Sequence, residues 1–535
     1  MKRNIGNDNT SFLSFLGGRT MKLVQFRYLA FGLALAGAGF CMNELAQATS
    51  NTWDGGGADN FWLNAVNWAG DTDIPGSPTT ANSDVATFSN NVRLTSSIDM
   101  NTTSGTYFLG AIDVTGTTGN RIINNGSAVT PGILTLSGAT MNTTVGGGPT
   151  SNVIIHQNGS GSLTFNNGAG TGTLGITLPN ATNVVAIDTN FGVVVNTIIS
   201  GPGGLTLMRN AGGTARLDLR AVNTYQGDTN LLSGLLRARL VPNVMPHGVG
   251  KGNLNVAAAG TFSIDFNNII NGLNDLGGGG GSVLTQDAGP FTLTLGDADA
   301  NGSFSGVVST NIGITKIGGG TQTFAGVNTY AGATTVSAGT LLVNNSHTGG
   351  AAYTVAGGAT LGGIGTISAA VDLFGEISPG NSAGTLTIGG LTLQDDSSSV
   401  FELINTAGAH SAGSGNDLIS ITNALTIGAL SPDFLIDIDA IGGGDLNNAG
   451  SWILAQYGSL NALSAPNFTV TGIDLVNFTY SVGIVPDGVN PLGPGSVVLT
   501  LNPVPEPNSL ILLSIGAIGW VSGIRRRSRQ EFLTG

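Results

Sequence analysis

The chain has 535 residues, 86 of them Gly, with 41% hydrophobic and only 9% charged residues, against about 25% charged in an average soluble domain. That much apolar side chain can build a core, which excludes a disordered chain. Nine of the 18 Lys and Arg stand at the two ends, leaving nine cations against 27 acids between them; so acidic a middle excludes nucleic acid as a partner, because such binding depends on cations displacing counterions from phosphates.

The first element is an export signal. From Met21, MKLVQFRYLAFGLALAGAGFCMNELAQA has basic Lys22 and Arg27, an apolar stretch from Leu29 to Phe40, and Ala46-Gln47-Ala48 as a small-residue cleavage site. The apolar stretch is short for a membrane span. Cleavage after Ala48 on the far side of the Sec translocon leaves Thr49 as the mature start, with an uncleaved anchor as the alternative. The 20 residues before Met21 are either an extended signal or lie ahead of the true start. The single cysteine, Cys41, falls inside this segment, so the mature chain has no disulfide and no Cys-ligated metal.

From residue 49 to about 500, short runs of Val, Ile, Leu, Thr and Phe are punctuated every few residues by Gly, Asn, Asp or Ser. NVVAIDTNFGVVVNTIIS (183–200), PFTLTLG (290–296) and GTLLVNN (339–345) are examples, and they read as strands. Residues 201–240 and 313–345 repeat each other: both contain V-N-T-Y-x-G-x-T, registered by Tyr225 and Tyr330, and a variant follows at 358–393. Self-similar short-stranded units predict a solenoid, in which no unit buries its apolar side alone. A series of β-sandwiches is the alternative.

Chemistry is sparse. His156, His247, His347 and His410 are far apart without metal-ligand spacing and read as surface or turn residues. Glu376 and Glu402 are the two glutamates of the mature middle, and Asp395-Asp396 and Asp437-x-Asp439 are its obvious acid pairs; adjacent strand residues point to opposite sides, which argues against a paired-carboxylate site. DADANG (297–302) copies the start of a calcium loop, but its twelfth position is Val308, so a plain turn is favoured. GGGGGS (277–282) lacks the Lys-Ser/Thr of a phosphate cradle. The sequence therefore assigns no catalytic residue, no metal site and no cofactor.

The last element is VPEPNSLILLSIGAIGWVSGIRRRSRQ. Val504 and Glu506 each precede a proline, so Val504-Pro505-Glu506-Pro507 is an extended spacer. Asn508 and Ser509 can cap a helix over 510–524, whose 15 residues span about 23 Å against a hydrocarbon core of about 30 Å. Arg525, Arg526, Arg527 and Arg529 then stay cytoplasmic as a stop-transfer cluster.

Two resemblances follow from these residues. ITKIGGGTQTFAGVNTYAGATTVSAGTLLV (314–343) resembles the autotransporter-associated β-strand repeat; TWDGGGADNFWLNAVNW, with Trp53, Trp62 and Trp68, and ISPGNSAGTLTI (377–388) resemble the segments that precede and follow such repeats. The resemblance implies a parallel β-helix outside a bacterial cell and implies no activity. The C-terminal order of proline-bracketed acid, marginal helix and arginines resembles the PEP-CTERM sorting signal, which implies an inner-membrane precursor handled by an exosortase, a transpeptidase-like membrane enzyme. The expected fold is all-β: a right-handed parallel β-helix with one short C-terminal transmembrane helix. The expected parts are a signal peptide (1–48), an N-terminal β region (49–130), a solenoid (131–393), a C-terminal β region (394–502) and the sorting signal (503–530). The function expected is a non-enzymatic surface or matrix protein in contact with exopolysaccharide; a secreted β-helical carbohydrate-active enzyme is the alternative.

Overall fold

The computed structural model describes residues 50–504 apart from 72, 80–82, 90–97, 101–104, 117–118, 126–130, 168–172, 211–214, 411–414, 429, 431–432, 463–466 and 489. The export signal with Ala46 and Ala48, and the tail from Pro505 with its helix and arginines, lie outside the described residues. Those described are strands and turns with two single-turn 3-10 helices. No helix among them is long and apolar enough to cross a membrane.

Strands pair in parallel and in chain order, as in a β-helix. One ladder runs through Val85–Phe88, Ala111–Val114, Gly148–Gln157, Thr182–Ile187 and Gly204–Arg209. A second runs through Leu163–Phe165, Val193–Val195 and Arg216–Leu219. Thr229–Ala238 and Leu254–Ile264 are long enough to serve both ladders, with a register shift at the corner between them. The third ladder holds Phe291–Leu295, Ile312–Lys316, Thr334–Val336 and Tyr353–Val355. Leu205 pairs with Thr229 and Thr229 with Leu254, whereas Ile314 pairs with Thr334 and Thr334 with Tyr353. A turn of the coil thus takes 24 or 25 residues in the first case and about 20 in the second, and up to 43 where Ile112 pairs with Ile155. Parallel pairing of this kind excludes the β-sandwich alternative, which needs antiparallel sheets.

Alternation puts one side of every ladder inside. In FLIDIDAI (434–441), Phe434, Ile436, Ile438 and Ala440 are buried while Asp437, Asp439 and Ile441 are exposed. Like residues then stack along the coil, as Phe304, Phe324 and Val343 do in register. Each fully buried Leu, Ile, Val or Phe contributes about 1.5–3 kcal/mol.

The repeated V-N-T-Y-x-G-x-T string is a device for turning the corner. Buried Asn223 and Asn328 use Oδ1 to accept the N–H of the previous turn, from Ile199 and Val308 respectively, each at 2.9 Å. The Tyr225 hydroxyl lies 2.6 Å from Thr229 Oγ1, and that of Tyr330 lies 2.7 Å from Thr334 Oγ1. A Cβ on Gly227 would stand 2.4 Å from Gly204 N, and one on Gly332 2.5 Å from the Ile312 carbonyl oxygen. Only a residue without a side chain lets neighbouring turns approach so closely.

Both ends of the core are closed. At the front, Trp53, Trp62 and Trp68 are buried and meet edge to face, with centroids 5.2 Å (Trp53–Trp68) and 4.9 Å (Trp62–Trp68) apart, over Phe88 and Tyr107. At the back, Gly495–Pro503 pairs antiparallel with both Gly450–Ala462 and Phe478–Pro486. Such terminal caps shield strand edges that would otherwise pair with other chains.

Replacing Asn328 with Ala leaves the buried Val308 N–H without its acceptor, and Gly332→Ala forces two turns apart. Each is expected to cost about 1–3 kcal/mol and to lower the melting temperature followed by circular dichroism. Tyr330→Phe, which removes one hydroxyl, should cost less than either; equal melting temperatures for all four proteins would refute the corner device.

Candidate functional site

Turns of different width create a concavity. On the ladder that carries Phe304, Phe324 and Val343, the strands lengthen from Ala359–Gly363 and Glu376–Pro379 to Ser398–Ile404 and Phe434–Ile441. Gly362 pairs with Ser378 and offers no side chain to fill the step. The result is an open groove of about 550 Å³, lined by Leu342, Asn344, Ser378, Glu402, Asp417, Asp439 and neighbours.

Three carboxylates meet there. Glu402 and Asp439 pair in register on adjacent strands, which places them on one face about 4.8 Å apart along the coil. Asp417 comes from the start of the next ladder: its Oδ2 accepts the Glu402 N–H at 2.7 Å and its Oδ1 the Gly384 N–H at 2.8 Å. Burial pushes Asp417 up to about 7, against those two N–H groups, which favour its charge, and with the Glu402 carboxylate adding to the rise. Oε2 of Glu402 is buried without a hydrogen-bond partner. A protonated acid beside ionisable carboxylates is the arrangement that general acid–base chemistry on a glycoside needs. Among the described residues no Lys, Arg or His lines the groove.

Alternation separates neighbours such as Asp395 and Asp396 but not Asp437 and Asp439, which stand two apart on one strand and are both exposed on its outward face. The structure also brings Glu402 and Asp439 together between strands. Asp417 carried no signal; it stands 15 residues from Glu402 in sequence and reaches it through stacking.

The histidines are a correction. Far from being surface groups, His156 and His347 are buried. His156 bridges Asp113 at 2.9 Å through Nδ1 and Asp188 at 3.0 Å through Nε2. Asp188 also accepts the N–H groups of Thr144 and Val145. Burial opposes the imidazolium, but the hydrogen bonds to the two aspartates outweigh it and raise the His156 pKa. His347 stacks on Tyr330 at 3.9 Å, and the Tyr330 carbonyl at its Nε2 can only accept, so Nε2 carries the proton and Nδ1 takes the Tyr353 hydroxyl. His247 contacts Asp297 at 2.6 Å, and His410 stacks on Trp452.

DADANG is a turn. Asp299 accepts the Gly319 N–H and Asn301 that of Thr321, so these two side chains tie the next turn, while Asp297 reaches back to His247. Among the described residues no group of three His, Cys, Asp or Glu could hold a metal. Asp395 and Asp396 sit in another turn, with Asp396 at a positive φ of 63°.

Comparison with known proteins agrees with the motifs. A family described as Passenger-associated-transport-repeat matches residues 211–238 and 314–343, and the PEP-CTERM protein-sorting motif matches 503–527. The first match ends with the strand that follows Tyr225 and the second spans Tyr330, so both contain a corner device. The chain is also similar to "Adhesin BmaC autotransporter" of Brucella suis biovar 1 (strain 1330), at 28% identity over 193 residues, which covers 34% of this chain and only 5% of that protein. The chain thus carries a C-terminal PEP-CTERM motif and passenger-type repeats on an all-β, parallel-stranded scaffold, and these features indicate an exported, cell-surface protein.

Both raised pKa values have the same sign for stability. Asp417, raised from its usual 3.8, favours the folded state at low pH and loses that preference as pH rises from about 4 to about 7. His156, raised above 6.5, stabilises fully below that value, and its contribution disappears as pH rises through the folded-state pKa. The melting temperature should therefore carry a falling contribution from these two groups as pH rises above about 4, set against a rising one from His347, whose pKa burial lowers from 6.5. Asp417→Asn should flatten the lower part of the fall and His156→Gln the upper part; a parallel fall in both variants would refute the assignment.

Proposed function

We propose that the chain passes the inner membrane through the Sec translocon and is cleaved after Ala48. The 510–524 helix and Arg525, Arg526, Arg527 and Arg529 then retain it, and an exosortase-type enzyme processes it at Val504-Pro505-Glu506-Pro507. The product is a non-enzymatic structural or adhesive protein of the surface or extracellular matrix, in contact with exopolysaccharide. The right-handed coil and the five-part division given above belong to the same reading.

One observation carries it. The folded strands end where the sorting motif begins: Val504 donates its N–H to the Asn477 carbonyl at 2.8 Å at the end of the terminal antiparallel pair, and its side chain is exposed. A processing enzyme needs an accessible, extended substrate, and a residue that precedes a proline, as Val504 does, favours extended backbone. The similarity to an adhesin autotransporter favours adhesion among surface roles.

Alanine at Pro505, Glu506 and Pro507 together should leave full-length chain in the inner-membrane fraction, with an unshortened C-terminus by intact mass. Normal surface delivery of that variant would overturn the sorting role.

The groove of Glu402, Asp417 and Asp439 favours a second reading, a carbohydrate-active enzyme. It is tested by incubating the protein with a panel of bacterial polysaccharides and measuring new reducing ends. The first reading expects none; release that falls by about 10²-fold or more in Glu402→Gln would establish the second.

A further inference from the structure

Eight Lys and Arg lie among the described residues. Arg121 and Lys316 are buried, and Lys251 donates to the Thr224 carbonyl. The other five, Arg209, Arg216, Arg220, Arg237 and Arg239, gather on two neighbouring turns at the outer side of the second ladder. Alternation explains the clustering: Leu217, Leu219, Leu236 and Ala238 point inward and are buried, so 216, 218, 220, 237 and 239 share the outside. Register sets Asp218 against Arg237, and the Arg239 N–H bonds to the Leu219 carbonyl, bringing Arg220 and Arg239 side by side. Arg209 joins through the Ala215 carbonyl at 2.8 Å.

Two buried carboxylates organise these forks. Asp218 accepts Nε of Arg216 at 2.9 Å and Nη2 of Arg220 at 2.7 Å. Asp265 accepts the Arg237 guanidinium through Nε and Nη2, and its other oxygen takes the Ser263 hydroxyl. Arg239 stands between them, with Nη1 3.8 Å from Asp218 and Nε 4.0 Å from Asp265, beyond hydrogen-bond reach, and its buried Nε has no hydrogen-bond partner. The remaining acid, Asp287, is 45% exposed and 3.7 Å from Arg237. Five cations face three acids in a chain whose middle is otherwise strongly acidic.

An ion-pair staple between turns would be complete with one fork per carboxylate. Extra guanidinium groups held this close repel one another, and that cost is recovered when an anion docks on them. The exposed parts of Arg216, at 41%, and of Arg220 and Arg239, at 23% each, face outward and can take a carboxylate in the two-pronged geometry that guanidinium favours. A densely charged phosphate backbone is repelled by the acidic surroundings, whereas a glycan with spaced carboxylates meets the patch with less repulsion.

We infer that Arg216, Arg220 and Arg239 form a binding site for the carboxylate groups of an acidic polysaccharide. The inference rests on the surface reading above and gives it a ligand class and a place on the coil.

The test titrates full-length protein in detergent with polygalacturonate oligomers by calorimetry, with dextran as the uncharged control and a DNA duplex as the phosphate control. Saturable binding that weakens with added salt is expected. Because the Arg239 guanidinium stands beyond hydrogen-bond reach of both carboxylates and the backbone bond is kept on substitution, Arg239→Gln should keep the wild-type melting temperature while weakening binding at least about tenfold. Asp287→Asn, at an exposed position, should tighten it severalfold. Absence of saturable binding, unchanged affinity in both variants, or DNA binding as tightly as polygalacturonate would overturn the site. Lost binding with normal surface delivery refutes this site alone; retention in the cytoplasm refutes the surface reading and leaves the binding result standing.

Discussion

The backbone hydrogen bond between one turn of the coil and the next governs everything else here. It runs across about 4.8 Å, along the coil, and it recurs at every strand. Because the partner of each residue is the equivalent residue one turn on, any side chain is answerable to the two above and below it. An inward polar group, a bulky group at a corner, or an unmatched charge is therefore felt by three turns at once. The fold answers with repetition: apolar side chains in columns inside, and at the corners a buried asparagine that accepts the N–H which the bend takes out of the ladder.

The same constraint explains why the chemistry-bearing clusters have the form they do. Side chains far apart in sequence become neighbours when their distance matches whole turns, and outward positions two residues apart share a face. Glu402 and Asp439, Asp218 and Arg237, and Asp113 and His156 are such register partners. Where strand length is constant the outside is even; where it changes, between Glu376–Pro379 and Ser398–Ile404, a step opens and becomes the groove. The groove is acidic and the patch around Arg239 cationic, so the one scaffold offers opposite electrostatic surfaces on different faces.

Charge inside the coil is admitted only with partners. Lys316 is fully buried, and its Nζ donates to the carbonyls of Ile317, Gly318 and Ala338; burial lowers its pKa, with Asp299 acting the other way. Asp218 and Asp265, also buried, are held by arginines. Unpaired charges at such depths would cost far more than a marginally stable fold supplies, which is why so few charged residues occur across so long a stretch.

The strands, the repeat and its Tyr225/Tyr330 register were legible in the sequence, because period-two alternation and turn residues are local properties and a solenoid repeats them. The tryptophans were legible as a segment preceding the repeats, though their role as the plug of the core was not. The PEP-CTERM motif that matches residues 503–527 was legible from residue order, since proline geometry and terminal arginines need no tertiary partner. What only the tertiary structure decided was neighbourhood. The histidines looked like surface groups because their partners Asp113, Asp188 and Tyr353 stand elsewhere in the chain, and Asp417 looked unremarkable for the same reason. Turn length varies along the coil, from about 20 residues between Ile314 and Thr334 to 43 between Asp113 and His156, so no fixed spacing announces which residues will meet; stacking alone sets that distance, and with it the groove and the arginine patch.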